Sequence, residues 1–124
     1  MSARVVHFEI PFDDGDRARA FYSDVFDWQI QTMPEMQYTI VSTGPSGDQG
    51  PTEPGYIGGG MMQRQEPVGT PVITLAVDDI DKTMAAIEEH GGSSVAPKMA
   101  VADMGFAAYF RDSEGNLMGL WQNA

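Results

Sequence analysis

From Val6 to Phe12 the chain alternates. Val6, Phe8, Ile10 and Phe12 are apolar, and His7, Glu9 and Pro11 stand between them, which is the period of a strand with one face on a core. Asp13 or Asp14 then caps a helix in which Ala18, Phe21, Tyr22 and Val25 recur at helical spacing, with Asp16, Arg17, Arg19, Ser23 and Asp24 between them. This stripe is expected to pack on the Phe8/Ile10/Phe12 face. Three strand-like stretches follow, at about Trp28–Thr32, Gln37–Thr43 and Tyr56–Gln63, the last two separated by a Gly/Pro-rich loop from Gly44 to Gly55.

The pattern then repeats. Residues 7–14 lie on residues 72–79, and Asp16, Arg17 and Ala20 match Asp81, Lys82 and Ala85. In the second half Asp79 is the expected cap, and Ile80, Thr83 or Met84, and Ile87 form the stripe. Gly91-Gly92 stops the helix after His90. Strands are expected at about Ser94–Lys98, Phe106–Arg111 and Leu117–Trp121, with a tight turn at Asp112–Asn116, and Arg64–Pro71 joins the halves. The predicted fold class is therefore α+β: two tandem βαβββ modules, about 4–64 and 71–122, forming paired curved sheets around a central cleft within one domain. Strand parity puts His7 and Glu9 on the cleft side, and residues 117, 119 and 121 share one face.

Charge narrows the partners. Seven Lys and Arg stand against 18 Asp and Glu in 124 residues, a formal net charge of −11, which repels nucleic-acid phosphates and anionic lipid surfaces. With no cysteine, disulfides, thiolate metal sites and thiol nucleophiles are excluded. No apolar run reaches about 18 residues and the start of the chain lacks a signal-like core, so a cytoplasmic location is expected.

The opening His7-Phe8-Glu9-Ile10-Pro11 with Arg19–Trp28, the middle Val77-Asp78-Asp79-Ile80-Asp81 and the closing Tyr109–Trp121 resemble, in order and over nearly the whole chain, the vicinal oxygen chelate superfamily. That superfamily includes glyoxalase I, bleomycin-resistance proteins and extradiol dioxygenases, and the likeness is nearest to short proteins related to lactoylglutathione lyase. The resemblance implies metal ligands at the first and last strands of each module. The four positions are His7, Val72, Gly60 and Gly119, of which only His7 carries a donor. A divalent catalytic metal takes about three protein ligands, so neither metal nor cofactor is expected.

The remaining candidates are weighed by residue type. His7 suits a proton shuttle or a hydrogen-bond donor to a ligand, against a relict histidine satisfied by a neighbour. Glu9 suits a base or a ligand anchor, against a carboxylate at the cleft edge. Tyr38, Met62, Tyr109 and Trp121 suit an apolar pocket for a planar ligand, against ordinary core packing. Gly58-Gly59-Gly60 marks a close backbone approach, or room left where a ligand carboxylate stands in relatives. Asp13, Asp14, Asp78 and Asp79 read as helix caps, His90 as last-turn dipole chemistry, and Asp112–Asn116 as a hairpin turn rather than a calcium loop.

Two functions follow from this reading. The first is a metal-independent small-molecule binding protein of the drug-sequestering kind, its ligand in the cleft against His7, Glu9, Tyr109 and Trp121. The alternative is a lyase, isomerase or dioxygenase-type enzyme using His7 and Glu9 in acid/base chemistry or in a rebuilt metal site. The resemblance also implies a homodimer.

Overall fold

The computed structural model describes residues 2–124, and its contacts fall into two compact units. One comprises His7–Pro71; the other is Val72–Ala124 together with residues 2–6. Both follow the βαβββ order.

In the first module β1 (Val5–Phe12) is followed by α1 (Gly15–Phe26), β2 (Gln29–Met33), a 3-10 turn at Pro34–Met36 and β3 (Tyr38–Ser42). The loop expected at Gly44–Gly55 contains a two-residue ribbon, β4 (Ser46–Gly47) with β5 (Gly50–Pro51), before β6 (Gly59–Gln63). The sheet order is β2-β3-β6-β1, with β6 parallel to β1 and antiparallel to β3. Asp14, not Asp13, caps α1: its carboxylate accepts the Arg17 N–H at 3.1 Å. Asp13 instead takes the Arg64 guanidinium at 2.9 Å.

The face that α1 turns inward differs from the expected one. Phe21 and Val25, assigned to the packed stripe, are 53% and 58% exposed, and no residue of the helix is fully buried. The half-buried positions are Gly15, Ala18, Arg19 and Tyr22. The Arg19 guanidinium lies over the Phe12 ring at 5.7 Å, and Tyr22 stacks on Trp28 at 4.9 Å, which in turn lies 5.7 Å from Phe8. The planar cation with its long apolar stem covers the strand where an aliphatic residue was expected.

The second module runs β7 (Val72–Ala76), α2 (Ile80–Glu89), β8 (Ser93–Val101), β9 (Gly105–Arg111) and β10 (Leu117–Asn123), in the sheet order β7-β10-β9-β8. Asp79 caps α2 through the Lys82 N–H at 3.0 Å, and Gly91, at φ 97°, ends it in a conformation that suits glycine. Here the predicted stripe packs as expected: Ile80, Ala108, Phe110 and Leu120 form a buried cluster, with Met84 and Ile87 against it. In β8 the register slips between Ser94 and Met99, where Pro97 has no N–H to offer the ladder. The hairpin at Asp112–Asn116 is also as expected: the Asp112 carboxylate accepts the N–H groups of Glu114 and Asn116, each at 2.9 Å.

Among the described residues no helix is long and apolar enough to cross a membrane.

Candidate functional site

Pairing between strands fixes which side chains share a face, because partners across a ladder point the same way. Glu9 pairs with Gly60 and Pro11 with Met62 in the first module, while Ile40 also pairs with Gly60. His7, Glu9, Pro11, Met62, Tyr38 and Ile40 therefore lie on the face away from Phe8, Ile10 and Phe12. In the second module Gly119 pairs with Thr74 and with Tyr109, and Trp121 with Ala76 and Ala107. Glu9 and Thr74 are repeat mates, so Gly60 and Gly119 occupy equivalent positions, as the expected alignment of the two closing strands requires.

On the first module's face three candidates meet. The Tyr38 hydroxyl donates to Glu9 Oε2 at 2.9 Å and stands 2.8 Å from His7 Nε2. A phenol has one proton, and here it goes to the carboxylate. Tyr38 Oη is then the acceptor toward the imidazole, so the network assigns the proton of neutral His7 to Nε2 and leaves the lone pair on Nδ1. The chain reads His7 to Tyr38 to Glu9. Its members are half-buried or better, with Glu9 only 9% exposed. Burial drives the His7 pKa below its ordinary 6.5, and the Glu9 carboxylate pulls it partway back, so the ring is mainly neutral at physiological pH.

Gly60 explains how Tyr38 reaches this position. A Cβ built there would overlap the Tyr38 hydroxyl and ring. The glycine is a seat for the phenol, and the room foreseen there for a ligand is occupied by the protein's own side chain. In the second module a Cβ on Gly119 would come within 2.7 Å of Thr74 Oγ1. Both glycines thus accommodate a hydroxyl-bearing neighbour on the same face.

The other candidates are placed as follows. Met62 is half-buried on the His7 face of the first module. Tyr109 and Trp121 share a face of the second module, and the Trp121 indole N–H donates to Asn123 Oδ1 at 2.8 Å with its ring beside Gly105. His90 caps rather than catalyses: its Nδ1 lies 2.9 Å from the Ala86 carbonyl.

The donor set does not fit a resident divalent metal. Among the described residues no group of three or more His, Cys, Asp or Glu is arranged to hold one. Of the four positions implied by the resemblance, Val72 and the two glycines offer no side-chain electron pair.

Residue type alone makes Tyr38 an apolar contact and does not show that it is the centre of the polar chain. A tyrosine and a glycine placed on one strand face by the β3–β6 register would have been the signal. Periodicity likewise assigns the half-buried Arg19 to solvent.

Comparison with known proteins agrees with the fold. Residues 4–44 match the bleomycin resistance protein-like N-terminal family model. A glyoxylase-like domain-containing protein of Didymella fabae is 29% identical over 124 residues, covering 94% of this chain and 91% of that one. Among solved structures, a hypothetical protein from Bacillus halodurans C-125 aligns with TM-score 0.67 at 14% identity, over 100% of this chain and 96% of its own. A methylmalonyl-CoA epimerase of Streptomyces coelicolor aligns with TM-score 0.65 at 17% identity, again over 100% and 96%. A glyoxalase/bleomycin resistance protein/dioxygenase superfamily member from Vibrio splendidus gives 0.62 at 15%, over 99% of this chain and 100% of that one. At these identities the structures speak for the fold alone.

Proposed function

We propose that this chain, whose matches support the vicinal oxygen chelate superfamily, is a small-molecule binding protein that works without a metal and holds its ligand against the His7–Tyr38–Glu9 face of its first module. The observation that carries the reading is the hydrogen-bond chain itself. A polar network seated over a glycine, with an apolar Met62 beside it, supplies the few fixed polar groups and the apolar surround that small-molecule sites use. Neutral His7 presents Nδ1 as an acceptor to a ligand donor. Tyr109 and Trp121, which share a face of the second module, supply stacking surface there. The working unit is a homodimer, as in the expectation drawn from sequence.

The test is a ligand-observed NMR screen of small aromatic compounds against wild type, His7→Ala and Tyr38→Phe. The expected result is a saturable binder that shifts the Gly60 amide and loses about tenfold in affinity in either variant. A screen whose binders ignore both substitutions contradicts the proposal.

A second reading is favoured by the same chain. An imidazole whose Nε2–H is held by a phenol, itself held by a carboxylate, is oriented as a general base at Nδ1. Isomerase chemistry of the proton-transfer kind would use that nitrogen, and the epimerase neighbours share the fold. Mass and NMR spectra of a bound compound after prolonged incubation in deuterated buffer separate the two: unchanged compound supports binding, and deuterium incorporation lost in His7→Ala supports catalysis.

A further inference from the structure

The first module carries an open cavity of about 350 Å³ between α1 and the end of the β2–β3 hairpin. Its size lies at the low end of small-molecule sites. Phe12 and Gln63 pair with each other across β1 and β6, and Thr32 pairs with Thr39 across β2 and β3, so these four contribute from the sheet face that bears the helix. Met33, Gln37 and Tyr38 line it from the hairpin end.

Among its lining residues only Arg19 is charged, in a chain where acids outnumber bases by more than two to one. The guanidinium is held from three sides. Nη1 donates to Thr39 Oγ1 at 3.3 Å, the plane lies over the Phe12 ring, and the side chain folds back over Gly15, where a Cβ would come within 2.8 Å of Nη1. Nη2 meets the Asp16 carboxylate at 2.8 Å, and that carboxylate is 97% exposed. A guanidinium carries five N–H donors in a rigid fork, and Thr39 and Asp16 engage two of them. Asp16, on the solvent side, is an exposed partner that an incoming oxyanion can displace at small cost.

We propose that this cavity binds a small organic carboxylate, its oxygens on the Arg19 fork and its apolar body against Phe12 and Met33. Tyr38 alone is common to this lining and to the His7–Tyr38–Glu9 chain, and the proposal does not depend on the function assigned to that chain. The guanidinium suits a planar carboxylate because two parallel N–H···O bonds match its geometry. The flanking Thr32, Gln37 and Gln63 side chains add neutral hydrogen-bonding groups and no opposing charge.

The test uses benzoate as the probe and the backbone-amide NMR spectrum of the full chain as the readout. Saturable shifts at residues 32–37, with a dissociation constant of about 1 mM or tighter, are expected. Arg19→Gln should weaken binding by about tenfold or more. Gly15→Ala keeps every lining residue but pushes the guanidinium aside, and it should weaken binding with the spectrum otherwise native. Asp16→Asn removes the intramolecular competitor and should tighten binding by about twofold. Shifts that never saturate, a folded Arg19→Gln or Gly15→Ala chain that binds like wild type, or inorganic phosphate binding as well as benzoate would each overturn the proposal.

Discussion

The two modules share one register and differ in chemistry. Glu9 over Gly60 in the first is Thr74 over Gly119 in the second, and His7 is matched by Val72. The second module keeps these matched positions small or apolar and packs its helix with a buried cluster of Ile80, Ala108, Phe110 and Leu120. The first module does the reverse. Its helix buries nothing completely and leans on the sheet through Arg19 and a Tyr22–Trp28 stack, while the sheet face away from the helix holds an imidazole, a phenol and a carboxylate in one chain. The two modules are built on one plan, and the hydrogen-bonded polar chain lies on the one that contributes fewer buried apolar side chains.

The largest expected effect is a stability contrast. Leu120→Ala removes a side chain that is 1% exposed and should cost about 2–5 kcal/mol, while Val25→Ala on the exposed side of α1 should stay within about 0.5 kcal/mol. Chemical denaturation of both variants checks this, and equal losses would erase the distinction between the modules.

Gly60→Ala comes next. The new methyl must displace the Tyr38 ring, and about 1–3 kcal/mol of destabilisation is expected, together with loss of the His7–Tyr38 hydrogen bond. Urea denaturation combined with the His7 ring-nitrogen spectrum would show it; an undisturbed imidazole signal would mean that the glycine does not seat the phenol.

A smaller effect concerns pH. The folded pKa of His7 lies below its unfolded value of about 6.5, so the unfolded chain takes up the proton first. The contribution to stability is present above pH 6.5 and is lost as pH falls through the folded value. His7→Gln should remove that part of the acid-side slope, measured by denaturation at a series of pH values. A slope identical to wild type would count against a buried neutral ring.

The smallest effect is local to the second module. Hydrogen bonds from the Asn116 side chain, then its backbone, then the Glu114 backbone hold the Asp112 carboxyl below its usual pKa despite some opposing desolvation. Asn116→Ala should raise it toward the ordinary carboxylate range with little change elsewhere, read from the carboxyl carbon shift during an acid titration.

Much of this was legible in the sequence because it is periodic or local. Alternation placed His7 and Glu9 on one face, the repeat aligned Gly60 with Gly119, and Asp79, Gly91 and the Asp112 turn announced themselves by residue type. What was hidden depends on partners distant in the chain. The expected α1 stripe of Phe21 and Val25 follows hydrophobicity, but an arginine laid on an aromatic ring covers apolar surface too, and periodicity does not register that. The role of Tyr38 rests on contacts to His7 and Glu9, 31 and 29 residues away, made possible by a glycine on a third strand. Composition shows that these residues are present, but not that they touch.

The most direct test of the central account is the ring-nitrogen NMR spectrum of His7 across neutral and mildly acidic pH, with Tyr38→Phe as the comparison. The account predicts a neutral imidazole protonated on Nε2 at pH 7, titrating below 6.5, with the Nε2 signal shifting when the phenol is removed. A ring that is charged at pH 7, carries its proton on Nδ1, or is indifferent to Tyr38→Phe would contradict it.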